Sequence, residues 1–207
     1  MKLQIALDRL GYDECFEITS EVHEHVDIIE VGTGVIKEYG LGIVRDLKTK
    51  YPDISILADV KICDAGKSES EKSFEYLSDL ITVMALADIN TVRNCQEVAD
   101  RFGKTLVVDL LNIKDFSLLD HLKEAGVRAV SLHVGKDQRE ADMKPAYDKL
   151  KEYDFDLFVA GGINEDNLKE YLKFEPDVVI VGSGITQAKD KVDAAKTLKS
   201  AISEFRL

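Results

Sequence analysis

The stretch Ile54-Ser55-Ile56-Leu57-Ala58-Asp59-Val60-Lys61-Ile62-Cys63-Asp64 runs from an apolar, β-branched segment into two carboxylates and an ammonium. Ile and Val favour strands, and unpaired charges are poor core material, so Ile54 to Asp59 reads as a strand that ends in chemistry. Barrels and open α/β sheets place their active sites at that edge. Taken alone, Asp-x-Lys-x-x-Asp is equally a solvated charge cluster on a loop, and its meaning rests on its surroundings.

Outward from this stretch, short β-rich runs recur along the chain, each followed by a longer segment with helical spacing. The predicted strands are Gln4 to Leu7, Val26 to Glu30, Ile54 to Asp59, Leu80 to Met84, Thr105 to Asp109, Ala129 to His133, Leu157 to Ala160 and Val178 to Val181. Eight strand–helix units point to a single-domain (β/α)8 TIM barrel over residues 1–207, small for that fold, with an open doubly wound sheet as the alternative. The last helix shows the stripe of an outer-ring helix, with Val192, Ala195, Leu198, Ile202 and Phe205 on the face expected to pack on the sheet.

Composition narrows the function classes. A chain of 207 residues, 45% hydrophobic, can bury a core without disulfides or metal staples. A net charge of −12 with no basic stripe argues against nucleic acid. Met1 to Asp8 reads as a first strand rather than a signal peptide, and no apolar run reaches a membrane span, so no membrane partner and a cytoplasmic location are expected. The cysteines are too scattered for zinc or a disulfide framework. Cys15 and Cys95 fall on apolar helix faces as core filler; Cys63 lies inside the charged motif.

The carboxyl ends of the predicted strands carry Asp8, Glu30, Asp59 with Lys61 and Asp64, Asp109, His133, Gly161-Gly162 and Gly182-Ser183-Gly184. Ordinary turns would show Ser, Asn and Pro; these ends are nearly all acid or glycine. Glycine loops after the last two strands let backbone amides approach a phosphate, a fitting device in an acidic protein. Glu30 and Asp59 end neighbouring strands and offer the hard oxygens that suit Mg²⁺. Among carboxylates Lys61 should stay protonated and able to stabilise an oxyanion. His133 brings a group of near-neutral pKa to the same rim, the natural general acid or base, whereas His23, His25 and His121 read as surface residues.

The pieces Ala6-Leu7-Asp8, Ile29-Glu30-Val31-Gly32-Thr33, Ala58-Asp59-Val60-Lys61 through Asp64-Ala65-Gly66, His133-Val134-Gly135, Ala160-Gly161-Gly162-Ile163 and Pro176-Asp177-Val178-Val179-Ile180-Val181-Gly182 together resemble the orotidine 5′-monophosphate decarboxylase suprafamily. Within it they resemble the branch of hexulose-phosphate synthases and keto-gulonate-phosphate decarboxylases. The resemblance implies a homodimeric barrel acting on a sugar phosphate, with Mg²⁺ on Glu30 and Asp59, substrate contacts from Asp8, and phosphate at Gly162, Gly182 and Ser183; Gly161, beside them in the glycine loop, is a candidate substrate contact. It also implies that Asp64 reaches the partner subunit's site. Glu30 stands where orotidylate decarboxylases have lysine, which sets those enzymes aside. Asp64-Ala65-Gly66, His133-Val134-Gly135 and Gly182-Ser183 are similar to the synthases and imply Mg²⁺-assisted aldol chemistry: His133 takes a C1 proton from ribulose 5-phosphate, and the enediolate adds to formaldehyde. Lys136 stands where the decarboxylases have an arginine, so it is a candidate substrate contact and keeps decarboxylation as the alternative. A catalytically inert sugar-phosphate-binding barrel is the reading from another class.

Overall fold

The computed structural model describes residues 1–133 and 143–205. Eight parallel strands close into a barrel in chain order: β1 (Lys2–Leu7), β2 (Ile28–Val31), β3 (Ser55–Ile62), β4 (Leu80–Met84), β5 (Thr105–Asp109), β6 (Ala129–His133), β7 (Asp156–Ala160) and β8 (Val178–Val181). Closure is visible at Gln4 of β1, which faces Ile28 on one side and Ile180 on the other. The barrel therefore holds and the open sheet does not. Strands such as Val178–Val181 are apolar throughout because helices cover their outer faces while the interior fills with side chains.

The helices are α1 (Tyr12–Val22), α2 (Thr33–Tyr39), α3 (Gly42–Lys50), α4 (Gly66–Glu75), α5 (Ile89–Phe102), α6 (Leu118–Glu124), α7 (Lys144–Leu150), α8 (Leu168–Leu172), α9 (Ser183–Thr186) and α10 (Lys191–Glu204). Two connections thus carry a pair of helices where the periodicity predicts one. Gly40, at φ 70°, ends α2 in the left-handed region, and short α9 stands between β8 and α10. Helix α5 shows why such a segment folds as it does. The Asp88 side chain accepts from Asn90 N at 2.8 Å at the start, and Gly103 stops the helix at φ 63°. Val92, Cys95, Val98 and Ala99 form its buried stripe. On α10 the predicted stripe is buried at Ala195, Leu198 and Ile202, but Phe205 is 47% exposed. The helix ends at Glu204, so Phe205 lies beyond the turns that pack. No helix of the described residues is long and apolar enough to cross a membrane.

Inside the barrel, inward side chains stack in layers contributed by alternate strands. Ile28, Leu80, Ala129 and Val178 form an apolar floor, followed by Gln4, Leu57, Val107 and Phe158. Above these come Glu30, Thr82, Ser131 and Ile180, then Ala6, Asp59, Asp109 and Ala160 around the cavity. Polarity rises from floor to mouth, which directs chemistry to the carboxyl ends of the strands.

The floor is closed by side chains as well as by the ladder. Leu3 N donates to Asp27 Oδ2 at 2.7 Å, and Ile56 N and Leu157 N donate to Asp79 Oδ2 and Asp177 Oδ2, each at 2.9 Å. Each aspartate returns its own N–H to the carbonyl of the same residue at 2.8 Å. This use of Asp27 explains why β2 begins at Ile28 rather than at Val26. Before β6 the equivalent place holds Arg128, whose guanidinium turns to Asp100 at 2.8 Å. Asp79 also accepts from Lys104 Nζ at 2.6 Å and Lys48 Nζ at 2.9 Å. Burial works to raise its pKa, but these donors outweigh it and hold the carboxyl below the usual range. A depressed folded pKa stabilises above the unfolded value, about 3.9, and that contribution is lost as pH falls below it. Asp79→Asn is expected to cost about 1–3 kcal/mol at neutral pH and to flatten the acid limb below about pH 4, as read by urea unfolding at both ends of that range.

Candidate active site

Strand β3 does not stop at Asp59, as its sequence suggests, but continues through a bulge. Ala58 faces Ile81 and Ile62 faces Val83, so Asp59, Val60 and Lys61 all oppose Thr82. Lys61 takes up the excess at φ 48°, and its N–H donates to Thr82 Oγ1 at 2.9 Å. Such a bulge re-aims a side chain. Here Lys61 Nζ comes to 2.6 Å from Asp109 Oδ2 and 3.2 Å from Asp59 Oδ1. Burial pulls the ammonium's pKa down; the two carboxylates outweigh it and raise the pKa above the ordinary lysine range.

Asp109, at the end of β5, is the hub of the site. It is only 2% exposed, and its Oδ1 lies 3.1 Å from His133 Nδ1 and accepts from Leu111 N at 2.9 Å. Burial acts to raise its pKa, but the hydrogen bond and charge of His133, together with Lys61, hold it below the usual carboxylate value. A carboxylate on Nδ1 makes that nitrogen the donor and leaves Nε2 as the nitrogen that can accept a proton. The sequence places Asp109 on the rim without assigning it a role. Its signal, an acid closing an otherwise apolar strand, is the same as that of Asp59.

Glu30 and Asp59 stand on adjacent strands and line one cavity of about 1060 Å³. Asp59 is held firmly: Thr82 Oγ1 donates to Oδ1 at 2.8 Å and Thr33 Oγ1 to Oδ2 at 2.7 Å. Glu30 Oε2 accepts from Gln4 Nε2 at 2.6 Å. Burial first, and the Asp59 charge second, push the Glu30 carboxyl well above the usual carboxylate range. Two acids on one cavity wall offer the hard oxygens that fit a hard cation. Among the described residues no group of three or more His, Cys, Asp or Glu is gathered tightly enough to hold a metal. Glu30 and Asp59 would therefore give two oxygens, and water and substrate the rest, a usual arrangement for Mg²⁺.

The glycine loops stand beside each other, since β7 and β8 pair at Phe158–Val178 and Val159–Val179. Gly161 (φ 132°), Gly162 (φ 68°), Gly182 and Ser183 all line the cavity, and the first two hold conformations that favour glycine. Asp8 also lines it and accepts from Gly34 N at 3.0 Å. Asp64 does not join them: it is exposed, and its Oδ1 accepts from Ala65 N at 2.7 Å. Gly66, in the same motif, serves packing, because a Cβ there would come within 2.9 Å of Cys95 Sγ on α5. Lys136 lies outside the described residues. Cys15 and Cys95 are buried as expected, and burial raises both thiol pKa values. Gln4, Thr33 and Thr82 also belong to the site's support; Thr33 closes the piece that begins at Ile29, but nothing in the sequence assigns any of the three a role.

The family profile described as "Orotidine 5′-phosphate decarboxylase / HUMPS family" matches residues 1–198. The chain belongs to this family. Among its orotidylate-decarboxylase-family relatives, the 3-hexulose-6-phosphate synthase of Bacillus subtilis is 36% identical over 208 residues, covering 98% of this chain and 99% of that protein. The crystal structure of a 3-hexulose-6-phosphate synthase from Salmonella typhimurium superposes with a TM-score of 0.95 at 36% identity, covering 99% of this chain and 100% of that one. The crystal structure of KGPDC from Streptococcus mutans gives a TM-score of 0.90 at 26% identity, covering 100% of this chain and 99% of that one. This member of the orotidylate decarboxylase family is a carbon–carbon lyase.

Proposed function

We propose that the protein is a 3-hexulose-6-phosphate synthase, joining formaldehyde to C1 of ribulose 5-phosphate and catalysing the reverse cleavage. The observation that carries this reading is the chain Lys61–Asp109–His133, an ammonium and an imidazole held on one buried carboxylate at the cavity wall. His133 Nε2 takes a proton from C1 while Asp109 holds the ring and balances the imidazolium that forms. Lys61 stabilises the oxyanion of the resulting enediolate. The enediolate carbon then attacks formaldehyde, forming the new C–C bond as the C=O π bond breaks, and the aldehyde oxygen takes the proton back from the His133 imidazolium to become the added hydroxymethyl group. The amides around Gly161, Gly162, Gly182 and Ser183 hold the phosphate, and Asp8 contacts the sugar. Glu30 and Asp59 would hold Mg²⁺, which when bound supplies positive charge for the substrate's oxygens.

Exhaustive chelation is accordingly expected to abolish activity. Glu30→Gln or Asp59→Asn should weaken Mg²⁺ binding by roughly 10–100-fold or more, since even outer partners of a metal ligand are worth that much. Direct calorimetric titration reads this, and full activity after chelation counts against the metal.

The exposed position of Asp64, outside its own cavity, supports a homodimer in which it completes the neighbour's site. Heterodimers of an Asp64→Ala subunit with a Lys61→Ala subunit are then expected to recover activity, because one of the two sites is intact. Verified heterodimers without recovery would mean self-contained sites.

Decarboxylation of a 3-keto hexonate phosphate is the second reading, favoured by Lys136 three residues after His133. It reaches the same enediolate by loss of CO₂. Parallel assays for formaldehyde consumption with ribulose 5-phosphate and CO₂ release from 3-keto-L-gulonate 6-phosphate separate the two.

A further inference from the structure

Gln4 is out of place in the barrel core. Its layer is otherwise Leu57, Val107 and Phe158, and its residue exposure is 0%. An amide buried there costs free energy, and more so because Gln4 Oε1 has no hydrogen-bond partner among the described residues. Among the described residues the one hydrogen bond of the side chain runs from Nε2 to Glu30 Oε2, at 2.6 Å. Packing alone would be served by an apolar side chain of the same length.

We infer that Gln4 is a positioning residue: it pins one oxygen of Glu30 from below, so that the carboxylate presents its other oxygen to a divalent cation shared with Asp59. The inference rests on the assignment of Glu30 as a metal ligand. On the opposite flank Asp59 is fixed by two threonine hydroxyls, Thr33 and Thr82. Among the described residues Glu30 is thereby held by a neutral donor alone, whereas Asp59 also has the Lys61 ammonium 3.2 Å from Oδ1 and Asp109 takes both Lys61 and His133. Gln4 is the only such donor to Glu30 among the described residues, and without it the carboxylate can rotate. Outer partners of this kind are worth about 10–100-fold in metal affinity.

The test is calorimetric titration of the full-length protein with Mg²⁺ and with Mn²⁺, substrate absent, for wild type, Gln4→Met, Gln4→Leu and Glu30→Gln, beside thermal unfolding of each metal-free protein. Gln4→Met keeps the length and removes the donor. It is expected to weaken both metals about 10–100-fold while leaving the metal-free melting temperature unchanged or raised, because the unpartnered oxygen goes with the amide. A structural residue would give the opposite pattern: lower melting temperature and unchanged affinity. Metal affinity within about twofold of wild type in folded Gln4→Met and Gln4→Leu, with binding lost in Glu30→Gln, overturns the inference alone. Failure of both Gln4 variants to fold overturns it too, by making Gln4 structural. Wild-type affinity in Glu30→Gln removes the ligand assignment beneath it, and the inference falls with that assignment.

Discussion

Ribulose 5-phosphate incubated with the protein in D₂O, with no formaldehyde present, is expected to exchange one C1 proton for deuterium, and His133→Ala to slow that exchange by roughly 10²–10⁴. Enediolate formation needs only the first substrate, so the isotope reports the proton transfer without the bond-forming step. The expectation follows from Nδ1 being engaged by Asp109 at 3.1 Å, which leaves Nε2 as the base. Affinity for ribulose 5-phosphate should hardly change in the variant, since the glycine loops belong to β7 and β8 and separate sites tend to act additively. NMR of the substrate measures exchange, and calorimetry measures binding. Active wild type that shows no exchange but releases CO₂ from 3-keto-L-gulonate 6-phosphate would falsify the synthase reading. Binding with neither activity would favour the inert barrel.

Asp109→Asn is expected to lower kcat by roughly 10²–10⁴, as much as removal of the base itself. The substitution takes a negative charge from between the Lys61 ammonium and the His133 imidazole and puts in its place an amide with donors of its own. Lys61 then keeps Asp59 as its carboxylate partner at 3.2 Å, and the His133 ring loses the group that fixed its tautomer. Because Lys61 keeps a carboxylate partner and the loss passes through His133, the double variant Asp109→Asn/His133→Ala should be little worse than either single one. Multiplicative losses in single-turnover rates would show that the two groups work independently.

The eight strands are legible in the sequence because parallel, doubly covered strands are dense in Val, Ile and Leu, and the alternation with helices leaves few topologies. Boundaries are less so. The bulge that carries Lys61 past Asp59 depends on pairing with Thr82, and no local signal in Asp59-Val60-Lys61 announces a left-handed lysine. The glycine loops and the Glu30–Asp59 pair could be read from strand ends alone, since adjacent strands bring their ends together. Asp109 could not be ranked above other rim acids, because its importance lies in contacts 48 residues back and 24 forward in the chain. Gln4 reads as a minor interruption of a first strand, and only the layer beneath Glu30 gives it meaning.

The rise in polarity from the barrel floor to its mouth has an evolutionary consequence. The floor holds the molecule together through the apolar packing of Ile28, Leu80, Ala129 and Val178 and through the aspartates Asp27, Asp79 and Asp177, and none of these seven residues lines the cavity. The upper layers and the loops can therefore be rewritten while the floor stays as it is. A lineage can try a new electrophile or a new leaving group without first having to find a new way to fold, which is one physical route by which synthases and decarboxylases come to share a single barrel.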